Sequence, residues 1–579
     1  TTITTELETD SSTSTAINPS TTDSSDPGTN PSTNTVSNGP TTNQPTTNEL
    51  STSDTADYTT ANSNLSLPEI TTISTSTQAN TKLSSELILN STIESLTSTT
   101  SKSVITNNNI NANDNVGVDV VSVQPIFTSN LSQIQSTSSQ TQSRSNEKLL
   151  KNCYIEEHEL ISLELHSNSK SDYENINTLK SNFSNSLYKI VCYFTNWSRR
   201  RPNSGRFLPK LIDPFLCTHI NYAFARLNNE TLLMEPSDSC TDIENKYYYQ
   251  ITSLKRKNPK LKVLISLGGW LDSGESDKYS RLVSNSTARK LFIKNAISFL
   301  MKYNFDGLDL DWEFPKCWQG ACNSGPDVDR QNFVALIKEL RREFNKHPIP
   351  LLLTAAVSAN KLIIDSAYDS QELAQNLDFV NLMSYDYNGI GSPNALHHSP
   401  LVQHPKFSDD KYSNVNFTID YWLNEKHFPA YKMILGIPFY GRSFELKSGS
   451  EGSMGSEVVG PGQPGVFTHE NGVLSYFEIC NLIMDHRWAK RSDSYSFKNY
   501  KYMSEPYAQH SNQWVGYDDK FQLMKKSQLI KSMSLGGAMI WSLDQDDFNG
   551  SCCSVKYPLL KTLNHQLRSY DFDLNYYCP

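Results

Sequence analysis

The stretch Phe305-Asp306-Gly307-Leu308-Asp309-Leu310-Asp311-Trp312-Glu313 decides how this chain is read. Its alternation is that of a β-strand, so Asp309, Asp311 and Glu313 share one face while Leu308, Leu310 and Trp312 share the other. A strand with Leu, Leu and Trp on its back and no basic residue on its front is a poor solvated face. In a barrel of parallel strands the apolar set packs against helices and the acidic set points inward. Glu313 then lies nearest the C-terminal rim, where barrel active sites sit. Successive carboxylates, about 6 to 7 Å apart along a strand, push each other's pKa upward. Such strain suits an acid catalyst.

On both sides of this strand, short β-branched runs alternate with helical stretches, the pattern of a parallel sheet wrapped by helices. Candidate strands fall at 189–194, 218–224, 262–267, 307–313, 351–357, 379–384, 433–438 and 537–542. Eight strands with helical crossovers predict an α/β fold, a (β/α)8 TIM barrel, over 188–579. Helical stripes run through Ile243, Tyr247, Ile251 and Leu254, through Leu291, Phe292, Asn295, Ile297 and Leu300, and through Phe333, Leu336, Ile337, Leu340 and Phe344. The seventh and eighth strands are too far apart for one crossover, which predicts an insertion over about 445–515. Its start, with Gly449, Gly452, Gly455, Gly460, Gly462 and Gly465, reads as loop, because no strand feeds it and no helix opens from it as a phosphate cradle requires.

Residues 1–143 are a different material, rich in Ser, Thr and Asn, with Tyr58 and Phe127 as their only aromatics. Such a segment cannot bury enough apolar surface to offset the ordering entropy, about 1 to 2 kcal/mol per residue. It is expected to be a disordered, O-glycosylated stalk, with 144–187 as a linker. The formal charge of −10 resides almost wholly in that stalk, so the remainder is near neutral and unsuited to phosphate-dominated nucleic-acid binding. No run of about 18 apolar residues offers a membrane span within these residues. The absence of an initiator Met and of a signal peptide suggests a mature form or a fragment. Ten cysteines, together with sequons at Asn64, Asn90, Asn130, Asn182, Asn196, Asn229, Asn285, Asn416 and Asn549, point to secretion. The cysteines lack paired zinc spacing, and Cys317 with Cys322 reads as a local disulfide staple. The His397-His398 pair lacks metal-ligand spacing, Arg199-Arg200-Arg201 reads as a solvated loop, and neither a metal nor a cofactor is called for.

The sequence resembles the chitinases of glycoside hydrolase family 18, whose Asp-Gly-x-Asp-x-Asp-x-Glu pattern is matched from Asp306 to Glu313. The resemblance extends over about 188–567. It includes Cys192-Tyr-Phe-Thr-Asn-Trp197, Ser266-Leu-Gly-Gly-Trp270, Met383-Ser-Tyr-Asp386, Tyr440-Gly-Arg-Ser-Phe444 and Met539-Ile-Trp541, in the family's order. It implies a barrel with a small α+β insertion after strand seven, acting on β-1,4-linked N-acetylglucosamine polymers such as chitin or chito-oligosaccharides. Glu313 would be the general acid and later the base, with the substrate's acetamido oxygen as nucleophile. Asp311 would hold the acetamido N–H, Asp309 would share a proton with Asp311, and Tyr385 would hydrogen-bond the acetamido oxygen. Asp306, which would shape the strand start, is grouped with the substrate-binding set of Trp197, Trp270, Met383, Asp386, Tyr440, Arg442 and Trp541. Trp541 would be the floor under the cleaved sugar.

The same resemblance supports a Cys192–Cys217 bridge and one from Cys480 to Cys552 or Cys553, leaving Cys153, Cys240 and Cys578 without assigned partners. One departure stands out. Where many members carry a Trp shortly after the Met-Ser-Tyr-Asp motif, this chain runs Tyr387-Asn-Gly-Ile-Gly-Ser392. The implied protein is a monomeric, secreted, endo-acting chitinase. The alternatives are a glycan-binding lectin that has lost turnover and an endo-N-acetylglucosaminidase on N-glycans; retention of Glu313 argues against the first, Trp197 and Trp270 against the second.

Overall fold

The structure, a computed structural model, describes residues 188–407, 410–497 and 500–579. The expected stalk and linker, with Cys153 and the sequons at Asn64, Asn90, Asn130 and Asn182, lie outside the described residues.

Eight parallel strands close into a barrel: β1 (Lys189–Thr195), β2 (His219–Leu227), β3 (Lys262–Gly268), β4 (Gly307–Asp311), β5 (Leu352–Ser358), β6 (Phe379–Met383), β7 (Met433–Pro438) and β8 (Gly537–Trp541). Each pairs with its sequence neighbour, and β8 pairs with β1 to complete the ring. A closed ring has no edge, so every inward side chain is surrounded by strands. The expected TIM barrel is borne out. β4 is shorter than the sequence reading had it: it ends at Asp311, and Trp312 and Glu313 follow just beyond the ladder. Glu313 is therefore held at the rim, where its backbone N–H donates to Ser273 Oγ at 3.0 Å.

The alternation of β4 works as read. Leu308, Leu310 and Trp312 are buried behind the barrel, with the Trp312 ring stacked on Tyr279 at 5.5 Å and edge-on to Phe333 at 5.9 Å. Phe333, Leu336, Ile337, Leu340 and Phe344 are all buried on the helix Asp329–Phe344. The helix Ser286–Tyr303 turns differently from the expected stripe: Leu291 is exposed, and Phe292, Ile293, Ala296, Phe299 and Leu300 form its inner face. Two corrections concern polar residues. The Arg199–Arg201 run is not simply solvated, because Arg201 is buried and pairs with the buried Asp544 at 2.6 Å. Asn196 is also buried, its amide donating to Asp242 at 2.9 Å, so this sequon is closed to glycosylation in the folded chain.

After β7 the chain enters a six-stranded antiparallel sheet. It begins with Tyr440–Leu446 and ends with Gln513–Tyr517, so the insertion starts about five residues earlier than the spacing suggested. Its glycine-rich part is not all loop, since Val458–Pro461 pairs with Tyr440–Leu446. The sheet holds the loop after β6 through Ala395 N–H to Ser456 O and Val458 N–H to Pro393 O, both at 2.9 Å.

Disulfides join Cys192 to Cys217, Cys317 to Cys322, Cys480 to Cys552 and Cys553 to Cys578. Cys480 thus takes Cys552 of the two candidates, and Cys578 gains a partner; Cys240 is also disulfide-bonded. Cys480, Cys552 and Cys553 crowd together as bonded cysteines, and sulfur in a disulfide is not available as thiolate for a metal. The Cys192–Cys217 bridge spans 25 residues of sequence, and replacing both by Ala should lower stability by about 3 kcal/mol through the freed chain entropy. Denaturant unfolding of that variant in parallel with the parent measures it. Among the described residues no helix is long and apolar enough to cross a membrane.

Candidate active site

Strand register builds the site. Asp309 lies beside Ser266 on β3 and Thr354 on β5, and neighbours at one level of parallel strands point to the same side. Ser266 Oγ donates to Asp309 at 2.8 Å and Thr354 Oγ1 at 2.5 Å. Tyr193 from β1 adds an O–H bond at 2.6 Å, and Asn381 from β6 an N–H bond at 3.2 Å. Asp309 is thus a fully surrounded acceptor at the barrel centre.

One pleat higher, Asp311 is buried and hydrogen-bonds Asp309. Burial, the charge of Asp309 and that hydrogen bond raise the Asp311 pKa well above the usual carboxylate range. The donors of the lower layer converge on Asp309, with Tyr193 O–H also 3.4 Å from Asp311, and the raised pKa of Asp311 keeps the proton between the two carboxyls on Asp311. Close packing fixes this level: Gly268 has φ +120°, and a Cβ there would meet the Asp311 carbonyl oxygen at 2.4 Å.

Glu313 stands above this pair. No side chain among the described residues donates to its carboxylate. Burial, followed by repulsion from Asp386, pushes its pKa up to about 8. At neutral pH it is therefore an acid with its proton in place. The sign follows for stability as well. Unfolded, Glu313 would ionise near the ordinary value of 4.5, so between that pH and about 8 the folded state binds the extra proton and this group destabilises it increasingly. Glu313→Gln should raise Tm by about 1 to 3 °C at pH 7.5 and leave it unchanged at pH 4, which paired thermal melts would read.

Asp386, whose charge acts on Glu313, has a left-handed backbone conformation, φ 61°. Burial opposes its charge, but the Arg442 guanidinium overcomes this, bonding both carboxylate oxygens at 2.7 Å, and holds Asp386 well below the usual range. Tyr440 O–H donates to the same carboxylate at 2.7 Å. Arg442 is thus a bidentate partner inside the site, not an isolated rim charge. Asp386→Asn would remove the charge that raises Glu313, so the alkaline limb of activity should move to lower pH, as a pH–rate comparison would record.

The walls are aromatic. Trp541 at the end of β8 lies 5.2 Å from Tyr193, and Phe224 stacks between it and Trp197 at 5.8 and 5.9 Å. Trp197 and Trp270 are 39% and 48% exposed, open rings rather than core. Gln319, in the loop closed by Cys317–Cys322, bonds the Trp270 carbonyl. Tyr385 and Met383 belong to the apolar layer around Trp541, and the Tyr385 hydroxyl faces Met539 Sδ at 3.9 Å. Ile390, in the loop that departs from the family, is 70% exposed beside the insertion.

One expected site residue lies elsewhere. Asp306 is at the opposite end of β4, where it accepts from Val263 N–H at 2.8 Å and pairs with Lys255 at 3.0 Å. It stitches β3 to β4 and cannot touch a ligand in the cleft. Conversely, Tyr193, Ser266, Thr354, Asn381 and Phe224 escaped assignment. Their only sequence signal was a polar or aromatic residue at an inward position of a strand, which becomes informative once the register is known. His398 also went unassigned; it is fully buried, with Nδ1 3.3 Å from Asp386 and Nε2 donating to Tyr440 O at 3.1 Å.

Residues 189–546, more than half of the chain, match the family described as glycosyl hydrolases family 18. The chain belongs to that family. Its barrel domain is 43% identical over 384 residues to the probable chitinase 10 of Drosophila melanogaster, covering 66% of this chain and 16% of that much longer protein. It is 41% identical to mouse chitotriosidase-1, covering 66% of this chain and 78% of the relative. Among solved structures it is similar to catalytic domain 2 of the Ostrinia furnacalis group II chitinase, at 45% identity and a TM-score of 0.63 over 67% of this chain and 98% of that one. It is also similar to human YKL-39, described as a pseudo-chitinase with retained chitooligosaccharide binding, at 40% identity and a TM-score of 0.58 over 66% of this chain and 99% of that one. This family 18 barrel therefore has both chitinases and a protein described as a pseudo-chitinase among its relatives.

Proposed function

We propose that this family 18 member is a secreted, endo-acting chitinase that cleaves β-1,4-linked N-acetylglucosamine polymers with retention of configuration. The observation that carries the reading is Glu313, a carboxyl kept protonated at neutral pH at the rim of an aromatic cleft. Glu313 gives its proton to the glycosidic oxygen as the bond from that oxygen to the anomeric carbon breaks. The acetamido oxygen of the same sugar closes on the anomeric carbon, forming an oxazolinium ion, and no enzyme carboxylate attacks. Asp311 leaves the shared proton on Asp309 and turns, now a carboxylate, toward the acetamido N–H, where its charge stabilises the cation. Tyr385 orients the acetamido oxygen. Water then adds to the anomeric carbon from the leaving-group side, giving its proton to Glu313 and restoring the acid.

Trp541 forms the floor of the cleavage subsite, and Asp386, Tyr440, Arg442 and Met383 line it. Trp197 and Trp270 carry the flanking sugars of a linear polymer. The disulfides accord with an oxidising, extracellular setting, and the Ser/Thr-rich 1–143 region serves as a glycosylated spacer. The full chain should hydrolyse soluble chito-oligosaccharides, with kcat/KM flat through neutrality and falling about tenfold per pH unit above about 8 as Glu313 loses its proton. Binding of chitotetraose without turnover at any pH would place this chain with the pseudo-chitinases instead.

A further inference from the structure

At the end of the barrel opposite Glu313, the run Leu254-Lys255-Arg256-Lys257-Asn258-Pro259-Lys260-Leu261-Lys262 sets five cations in nine residues. It leaves the helix Tyr247–Ser253 through the turn Leu254–Arg256 and enters β3. Asp306 takes up part of the charge, lying 3.0 Å from Lys255 and 3.9 Å from Lys262. Asp213 is the acidic neighbour of Lys257. Arg256, Lys257 and Lys260 are exposed, as is Lys302 on the adjacent helix, and none of the four has an ion pair among the described residues.

The two helices enclose an open groove of about 320 Å³, lined by Tyr249, Ser253, Lys255, Arg256, Lys302 and Tyr303. The Arg256 guanidinium lies 5.4 Å from the centre of the Tyr249 ring, and the Lys302 ammonium 4.8 Å from that of Tyr303. Two rings, each with a cation over it, thus line the same groove, with further cations along its rim.

We propose that this groove binds an anionic polysaccharide, a sugar chain carrying sulfate or carboxylate groups. Spaced cations match spaced anions, and Arg pairs with both groups through two parallel hydrogen bonds. The exposed face of Tyr249 supplies the flat apolar surface on which a sugar ring rests. A nucleic acid is a poorer fit, because beyond residue 143 the chain is near neutral and the cationic run is short. Asp306 and Glu313 bracket β4, so the groove and the cleft are about 20 Å apart along the barrel. Both can be occupied at once, which would hold the protein on an acidic glycan while its cleft engages another polymer.

The test uses the full chain on immobilised heparin under a NaCl gradient. The groove variant is Arg256→Glu with Lys257→Glu and Lys302→Glu. The control carries the same charge change at the exposed Lys411, in the loop after β6, and at the exposed Lys447 and Arg487, in the insertion. Parent and control should elute together and the groove variant much earlier, its slope of log Kd against log salt lower by about two to three. Soluble heparin or polygalacturonate should displace the parent, which separates the sulfate from the carboxylate source, and neither should displace bound chitotetraose. Equal losses in the groove and control variants would overturn the proposal, leaving only diffuse charge. Displacement of chitotetraose would move the site to the cleft, and equally tight binding of charge-matched oligo(dT) would remove the preference for a glycan.

Discussion

Glu313→Gln lowers kcat on soluble chito-oligosaccharides by about 10² to 10⁴-fold, the usual contribution of a positioned general acid, while their binding stays within a few-fold. Gln keeps the size of Glu and can still offer an N–H to the glycosidic oxygen, but it has no proton to transfer. The parent carboxyl is neutral at pH 7 because burial and Asp386 oppose its charge, so the substitution leaves the ground-state electrostatics of the cleft nearly unchanged. What is lost is transition-state stabilisation, and the loss should fall on kcat rather than KM. Burst-free kinetics on chitotetraose, with binding of the same sugar by calorimetry, separates the two. Residual activity close to the parent's would mean another group supplies the proton.

Asp311→Asn is expected to cost about 10² to 10³ in kcat, the scale of a lost electrostatic partner for developing charge. Asn can donate to Asp309 as protonated Asp311 does, so the buried layer of Tyr193, Ser266, Thr354 and Asn381 should remain intact. It cannot take on negative charge when the oxazolinium forms. Burial and Asp386 account for the raised pKa of Glu313, so the alkaline limb should stay near its parent position in this variant. A fall in kcat with an unmoved limb identifies Asp311 as a stabiliser of the cation. A limb displaced in step with the fall would show that Asp311 acts by tuning Glu313.

Strand β4 was legible because alternation alone separates Leu308, Leu310 and Trp312 from Asp309 and Asp311, and a closed barrel gives each set one destination. The insertion boundary was less legible. Tyr440–Leu446 follows β7 after a single residue, and a strand leaving one sheet for another carries no break in composition. Asp306 looked like part of the acidic series, but it immediately precedes β4 and so faces the opposite end of the barrel, where Lys255 and Val263 claim it. Arg201 and His398 were read as bland because local sequence cannot show what long-range packing brings to them: Asp544 for the first, Asp386 and Tyr440 for the second. The donors around Asp309 come from β1, β3, β5 and β6. No linear motif spans that set; only strand register assembles it.

The central claim is substrate-assisted hydrolysis led by Glu313, and the anomeric form of the first product tests it most directly. Chitotetraose mixed with the full chain should be followed by proton NMR from the first minutes, before mutarotation scrambles the new reducing ends. Initial β-anomer, appearing with the parent and absent with Glu313→Gln, is the predicted result. Initial α-anomer would require direct attack by water on the opposite face of the sugar and would contradict the account.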